Sequence, residues 1–294
     1  MSMSAAKAAI PAFLIGLLPA LPAAATQFFF TTGSPDGKIA TATRPDTGAF
    51  EIESADDFVL TSPTSITSAT FTGLLTGANP TIGQVVVEIY RVFPNDSNVG
   101  RTSGPPTFST NNVPTRVNSP SDVAFASRDS AAVGELTFTA NTLAATFTAD
   151  NSVQPGGIHP KPDQTTMGNG AVTGTEVQFA VNLTTPFDLP ADHYFFVPQV
   201  EVSGGDFLWL SAPKPGTPFP MGFTDLQSWT RDQFLDPDWL RIGTDIVGPI
   251  NGMTTTFNAT FSVSGTLLPE PASWGLLTMA LASLAVLSRR RMRS

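Results

Sequence analysis

The stretch Phe257-Asn258-Ala259-Thr260-Phe261-Ser262-Val263-Ser264 decides the fold. Phe257, Ala259, Phe261 and Val263 fall on one face of an extended chain; Asn258, Thr260, Ser262 and Ser264 fall on the other. Side chains alternate across a strand, so the pattern predicts a strand with one apolar and one polar face. The same period recurs upstream. Val177, Phe179, Val181 and Leu183 alternate with Gln178, Ala180 and Asn182, and Leu136, Phe138 and Ala140 with Thr137 and Thr139. Val85-Val86-Val87-Glu88-Ile89-Tyr90 is apolar on both faces, as a doubly buried strand would be. Residues 65–75, 143–148, 193–202 and 207–211 read as further strands, with Asn141-Thr142 as a hairpin turn joining 136–140 to 143–148. Helical periodicity over more than ten residues is absent from 27–266. These residues predict an all-β domain over 27–266, an antiparallel β-sandwich or jelly roll.

Composition agrees. Of 294 residues, 24 are Gly and 26 Pro, which favours turns over long helices. Hydrophobic residues make up 41% and charged residues 13%. That is too apolar and too weakly charged for a disordered chain. A net charge of −9 excludes the basic face that nucleic-acid binding needs. Cysteine is absent, which removes disulfides, thiolate metal sites and cysteine nucleophiles. Three stretches break the strand pattern: 95–121, 150–174 and the proline-rich 212–222. They read as long loops on a sheet scaffold, where binding sites usually lie.

The two ends read as targeting segments. Lys7, the apolar run 8–18 and Pro19-Ala20-Leu21-Pro22-Ala23-Ala24-Ala25 form the n-region, h-region and A-x-A site of a signal peptide over 1–25, cleaved after Ala25. The other end, 269–294, begins Pro269-Glu270-Pro271 and continues through an uncharged run, 272–287, to Arg289, Arg290, Arg291 and Arg293. Sixteen helical residues span about 24 Å, a little less than the hydrocarbon core, and arginine stems can cover the difference. This predicts a single transmembrane helix with the arginines on the cytoplasmic side. Both prolines lack an N–H and push the preceding residue towards extended backbone. The result is a stiff peptide that a processing enzyme can bind.

This tail resembles the PEP-CTERM sorting signal of Gram-negative bacteria, through Pro269, Glu270 and Pro271, the short apolar helix and the arginine cluster, in that order. The resemblance implies processing by an exosortase and association with exopolysaccharide in biofilm-forming bacteria. The segments Ala55-Asp56-Asp57-Phe58-Val59-Leu60 and Phe187-Asp188-Leu189-Pro190-Ala191-Asp192-His193-Tyr194 resemble strand edges of exported β-sandwich proteins carrying this tail. The partners expected are therefore signal peptidase and exosortase during export, the inner membrane through the helix, and exopolysaccharide. The location expected is a membrane-anchored precursor, then the cell surface or extracellular matrix.

Chemistry in the exported domain is sparse. With ten Lys and Arg against 23 Asp and Glu, residues 27–266 carry a net charge of −13. The only histidines are His159, in a Pro/Gly loop, and His193, beside Asp192. Gly-x-Ser-x-Gly does not occur. Asp56, Asp57, Glu201, Asp206, Asp232, Asp236 and Asp238 offer carboxylates for glycoside hydrolysis, although acids at strand ends are ordinary surface. Calcium takes carboxylate and carbonyl oxygens, and Asp56, Asp57, Asp188 and Asp192 are the candidate ligands, without an EF-hand-type loop to support them. Trp209 reads as core. Trp229 and Trp239, in an irregular flap or short helical turn over 225–241, are either buried pins or stacking platforms for a sugar. The sequence thus predicts a non-enzymatic exported β-sandwich with no cofactor. The alternatives are a carbohydrate- or Ca²⁺-dependent binding module and, third, a secreted hydrolase.

Overall fold

The computed structural model describes residues 26–93, 95, 117–158, 165–214, 219–234, 239–249 and 255–268. The expected signal peptide 1–25 and transmembrane segment 272–287, the expected sorting residues Pro269, Glu270, Pro271, Arg289, Arg290 and Arg291, and His159, Asp236 and Asp238 lie outside them. The described strands are β1 (Gln27–Thr31), β2 (Ile39–Ala42), β3 (Ile52–Leu60), β4 (Thr64–Leu75), β5 (Thr81–Arg91), β6 (Ala126–Asp129), β7 (Leu136–Ala149), β8 (Asn151–Val153), β9 (Val172–Leu189), β10 (Asp192–Ser203), β11 (Phe207–Ala212), β12 (Trp229–Asp232), β13 (Leu240–Arg241), β14 (Asn258–Ala259) and β15 (Phe261–Leu267). The protein is all-β, in two sheets. Among the described residues no helix is long and apolar enough to cross a membrane.

The nine-stranded sheet is built around β4, which pairs β9 along one side and β15, then β11, along the other. β15 lies between β4 and β1, and β7 forms an edge beyond β9. The six-stranded sheet runs β13-β12-β3-β10-β5-β6. Aromatic rings join the two. Phe196 of β10 stacks on Phe261 of β15 with centroids 5.0 Å apart and also meets Phe71 of β4 at 6.3 Å; within the larger sheet Phe71 stacks on its cross-strand neighbour Phe179 at 4.9 Å. Trp209 packs against Phe196 and Phe261, and its indole N–H donates to the Thr260 carbonyl at 2.7 Å. The Phe-rich composition is therefore spent on a shared core, where aromatic pairs add to plain burial. Gly73 lets β11 cross β4 closely: a Cβ there would collide with the Phe207 ring and the Leu208 carbonyl.

Three expectations need correction. Residues 136–149 are one continuous strand with no hairpin at Asn141-Thr142. The extra residues are taken up as irregularities in its pairing with β9, between Thr142 and Ala144 and between Ala144 and Phe147. The stretch 225–241 is more than a flap, since β12 and β13 extend the six-stranded sheet beside β3. The sheets are also not purely antiparallel: β8, inside the expected loop 150–174, pairs β2 in parallel.

Candidate functional site

The chemistry-bearing residues gather on β3. Alternation sends Phe58 and Leu60 into the core between the sheets, with Asp56 on that same side, and Glu53, Ala55 and Asp57 to the opposite face. That opposite face is covered: Ala55, Tyr90, Phe195, Val197, Trp229 and Trp239 form their own cluster, with Val92, Ala124 and Leu226 packed on it.

At one end of this face Arg231 is buried against β3. Its Nε donates to Glu53 Oε2, its Nη2 to the Tyr90 hydroxyl at 3.0 Å, and its Nη1 to the Asp122 carbonyl at 3.2 Å. The guanidinium carbon lies 4.3 Å from the Trp239 ring centroid. The Tyr90 hydroxyl donates to Glu53 Oε1 and lies 3.1 Å from Glu88 Oε2. Burial pushes the Glu53 carboxyl up, but the Arg231 charge and the hydrogen bonds outweigh it and hold the group below its ordinary value. Glu88 is raised well above its usual range by burial and by the neighbouring Glu53 charge.

At the other end His193 Nε2 lies 2.6 Å from Asp57 Oδ2, which also accepts the Leu226 N–H at 3.2 Å. Phe195, Phe219 and Phe223 wall in the imidazole. Burial lowers the His193 pKa to about 4, against the raising influence of Asp192 and Asp225, and raises Asp57 well above the carboxylate range. Both shifts favour an uncharged pair sharing one proton. Asp57 Oδ1 is buried without a hydrogen-bond partner. Among the described residues no hydroxyl hydrogen-bonds the second ring nitrogen, so the dyad lacks a serine nucleophile in place.

Asp56 ties the two sheets together. Ser228 Oγ lies 3.0 Å from Oδ1, and the Ala259 N–H donates to Oδ2 at 2.9 Å. Burial, then the Asp57 charge, pushes its pKa well up.

The four calcium candidates do not converge. Asp56 and Asp57 point to opposite faces of β3, Asp188 is exposed on β9, and Asp192 pairs with Arg91 at 3.5 Å. Among the described residues no three His, Asp or Glu side chains are placed to hold a cation. The two tryptophans are not open platforms: Trp229 is 2% and Trp239 0% exposed. Trp239 donates to the Ser121 carbonyl at 3.2 Å.

Beside Trp229 lies a cleft of about 370 Å³, lined by Asn118, Lys214, Asp225, Gln227, Arg241 and Thr256 as well as the indole. Lys214 Nζ is saturated, donating to Asp225 Oδ1 at 2.9 Å, Asn258 Oδ1 at 2.8 Å and two carbonyls. Arg241 grips Asp245 through Nε and Nη2. The Trp229 indole N–H is buried without an acceptor.

Comparison with family models, curated proteins and solved structures gave no match.

Sequence reasoning missed the Glu53–Tyr90–Arg231 network. Its signal was present: Glu51, Glu53 and Asp57 fall on one face of an extended chain, with Ala55 between them, and Arg231 follows Trp229 by two. Acids repeated on a strand face that other segments cover require cationic or hydrogen-bonding partners.

Proposed function

We propose that the chain is an exported, exosortase-processed surface or matrix protein. Its two sheets form a non-enzymatic β-sandwich, held at the inner membrane by the carboxyl-terminal helix until Pro269-Glu270-Pro271 is processed. The observation that supports this reading is the position of the chain ends. β1 and β15 are antiparallel neighbours, with Gln27 opposite Thr266, and the Leu267 N–H donates to the Thr26 carbonyl at 2.8 Å. Thr26 and Leu267, the residues next to the two proposed targeting segments, thus lie side by side at one sheet edge. Cleavage at either end leaves the pairing of the strands intact. Exopolysaccharide is the proposed neighbour outside the cell.

Glu270→Ala tests the reading, because Glu270 is the only charge between the domain's last strand and the arginine cluster. Fractionation and mass spectrometry should find export unchanged and the tail-bearing form accumulating in membranes. Processing at the normal rate would reduce the motif to a spacer.

A second reading, a module that binds a polyhydroxylated ligand, is favoured by the cleft beside Trp229 and its polar lining of Asn118, Gln227 and Thr256. Its volume sits at the low end of ligand pockets, and its ionic side chains are already paired, which suits a neutral ligand. Titration of oligosaccharides against intrinsic fluorescence tests it: binding should be lost in Trp229→Phe.

A further inference from the structure

β7 is the outlier among the sheet edges. The other edge strands, β1, β6, β8 and β13, are two to five residues long. β7 has fourteen residues, pairs only β9 among the described residues, and exposes nine of its own. Its sequence, Leu-Thr-Phe-Thr-Ala-Asn-Thr-Leu-Ala-Ala-Thr-Phe-Thr-Ala, contains no charge, proline or glycine. Proteins ordinarily blunt such an edge with lysine, proline or an inward charge, because its free N–H and C=O groups template another strand. Here only the pairing irregularities after Thr142 interrupt it, which leaves Leu136–Thr142 as a regular, unpaired edge.

We propose that this edge pairs with a second copy of the chain, β7 against β7 antiparallel about a two-fold axis near Thr139. The self-complementary sequence of the edge selects the occupant, against the opposing net charge. The domain carries −13 overall, so two copies repel over most of their surface, but an uncharged edge brings no like charges together. The flanking Glu135 would face Leu143 of the other copy. The two Glu135 side chains would then lie about 27 Å apart along the strands, well beyond the screening length of about 8 Å. Thr137 would oppose Asn141, and Thr139 its own counterpart, pairs that suit cross-strand hydrogen bonding. One long edge per chain closes the assembly as a dimer, not a fibre. The inference does not depend on export or sorting.

The absence of cysteine makes the test clean. The full chain carrying Thr139→Cys, oxidised in the producing cells, should run as a disulfide-linked dimer on a non-reducing gel. The same chain with Val133→Cys, fully exposed on the preceding turn, should not. Sedimentation of the released protein should give a dimer for the natural sequence and a monomer for Thr139→Lys, which places two cations face to face. Circular dichroism and melting should show that Thr139→Lys keeps its fold, since the side chain is exposed. A monomeric natural protein, a folded Thr139→Lys protein that remains dimeric, or equal cross-linking through Val133→Cys would each overturn the proposal.

Discussion

Replacing Arg231 with methionine removes the cation from a nearly sealed site. The Arg231 and Glu53 side chains are only 5% and 6% exposed, so solvent cannot stand in for the lost partner. Deleting one member of a buried ion pair leaves a charge without compensation and destabilises by about 3–5 kcal/mol. For a domain of this size, about 2–4 °C per kcal/mol converts that into a melting temperature lowered by about 6–20 °C. The pH dependence has a defined sign. In the natural protein the Glu53 pKa is depressed, so its contribution is present above the unfolded carboxyl value of 4.5 and is lost as the pH falls. Without Arg231, burial dominates and the group resists ionising. The variant is then penalised most at neutral pH, and the gap to the natural protein narrows on acidification. Adding Glu53→Gln should recover at least half of the loss, because no carboxylate is left stranded. Urea unfolding of the four proteins of the cycle at pH 5 and pH 7 measures all of this. A single-variant loss below about 1 kcal/mol, or a double variant no more stable than Arg231→Met, would refute the reasoning.

Two further outcomes follow from the same geometry. The His193 imidazole should stay neutral from pH 8 to pH 5, since its pKa lies at about 4, and NMR of the ring nitrogens would show a midpoint near 6.5 if burial did not control it. Its stabilising contribution is complete above pH 6.5 and declines towards pH 4, whereas the raised Asp57 contributes in the opposite sense, most at acid pH. The two slopes oppose each other, so Asp57→Asn should make the domain lose stability on acidification from pH 6.5 more steeply than the natural protein. Chelation with EDTA, or added Ca²⁺, should leave the melting temperature unchanged, because Asp56 and Asp57 are engaged with protein groups on opposite faces; a calcium-dependent rise would contradict that.

The strands were legible where apolar and polar residues alternate, as at 177–183 in β9, and where a short apolar run stands between turn residues: 193–202 and 207–211 match β10 and β11 within one or two residues. Asn141-Thr142 misled because turn-prone residues also serve in a long edge strand whose ladder absorbs them as irregularities. Trp229 and Trp239 could be read either way, because burial depends on what covers the sheet. The cover includes Ala124 and the Ser121 carbonyl, more than a hundred residues away in sequence. Asp56 and Asp57 resembled a surface pair for the same reason. Local pattern says which residues alternate; it does not say that both faces of β3 are occupied.

The placement of β15 bears on how the chain can be made. This last strand lies between the first strand and β4, and Thr31 reaches across 230 residues to the Phe261 carbonyl. Material delivered amino end first cannot complete its larger sheet early: Gln27–Thr31 has no other strand partner, and the Asp56–Ala259 and Trp209–Thr260 bonds also wait for the far end. Such a topology closes late and slowly, since the longest loop must form before its contacts reward it. If the chain is exported as proposed, this keeps it threadable until almost all of it has passed.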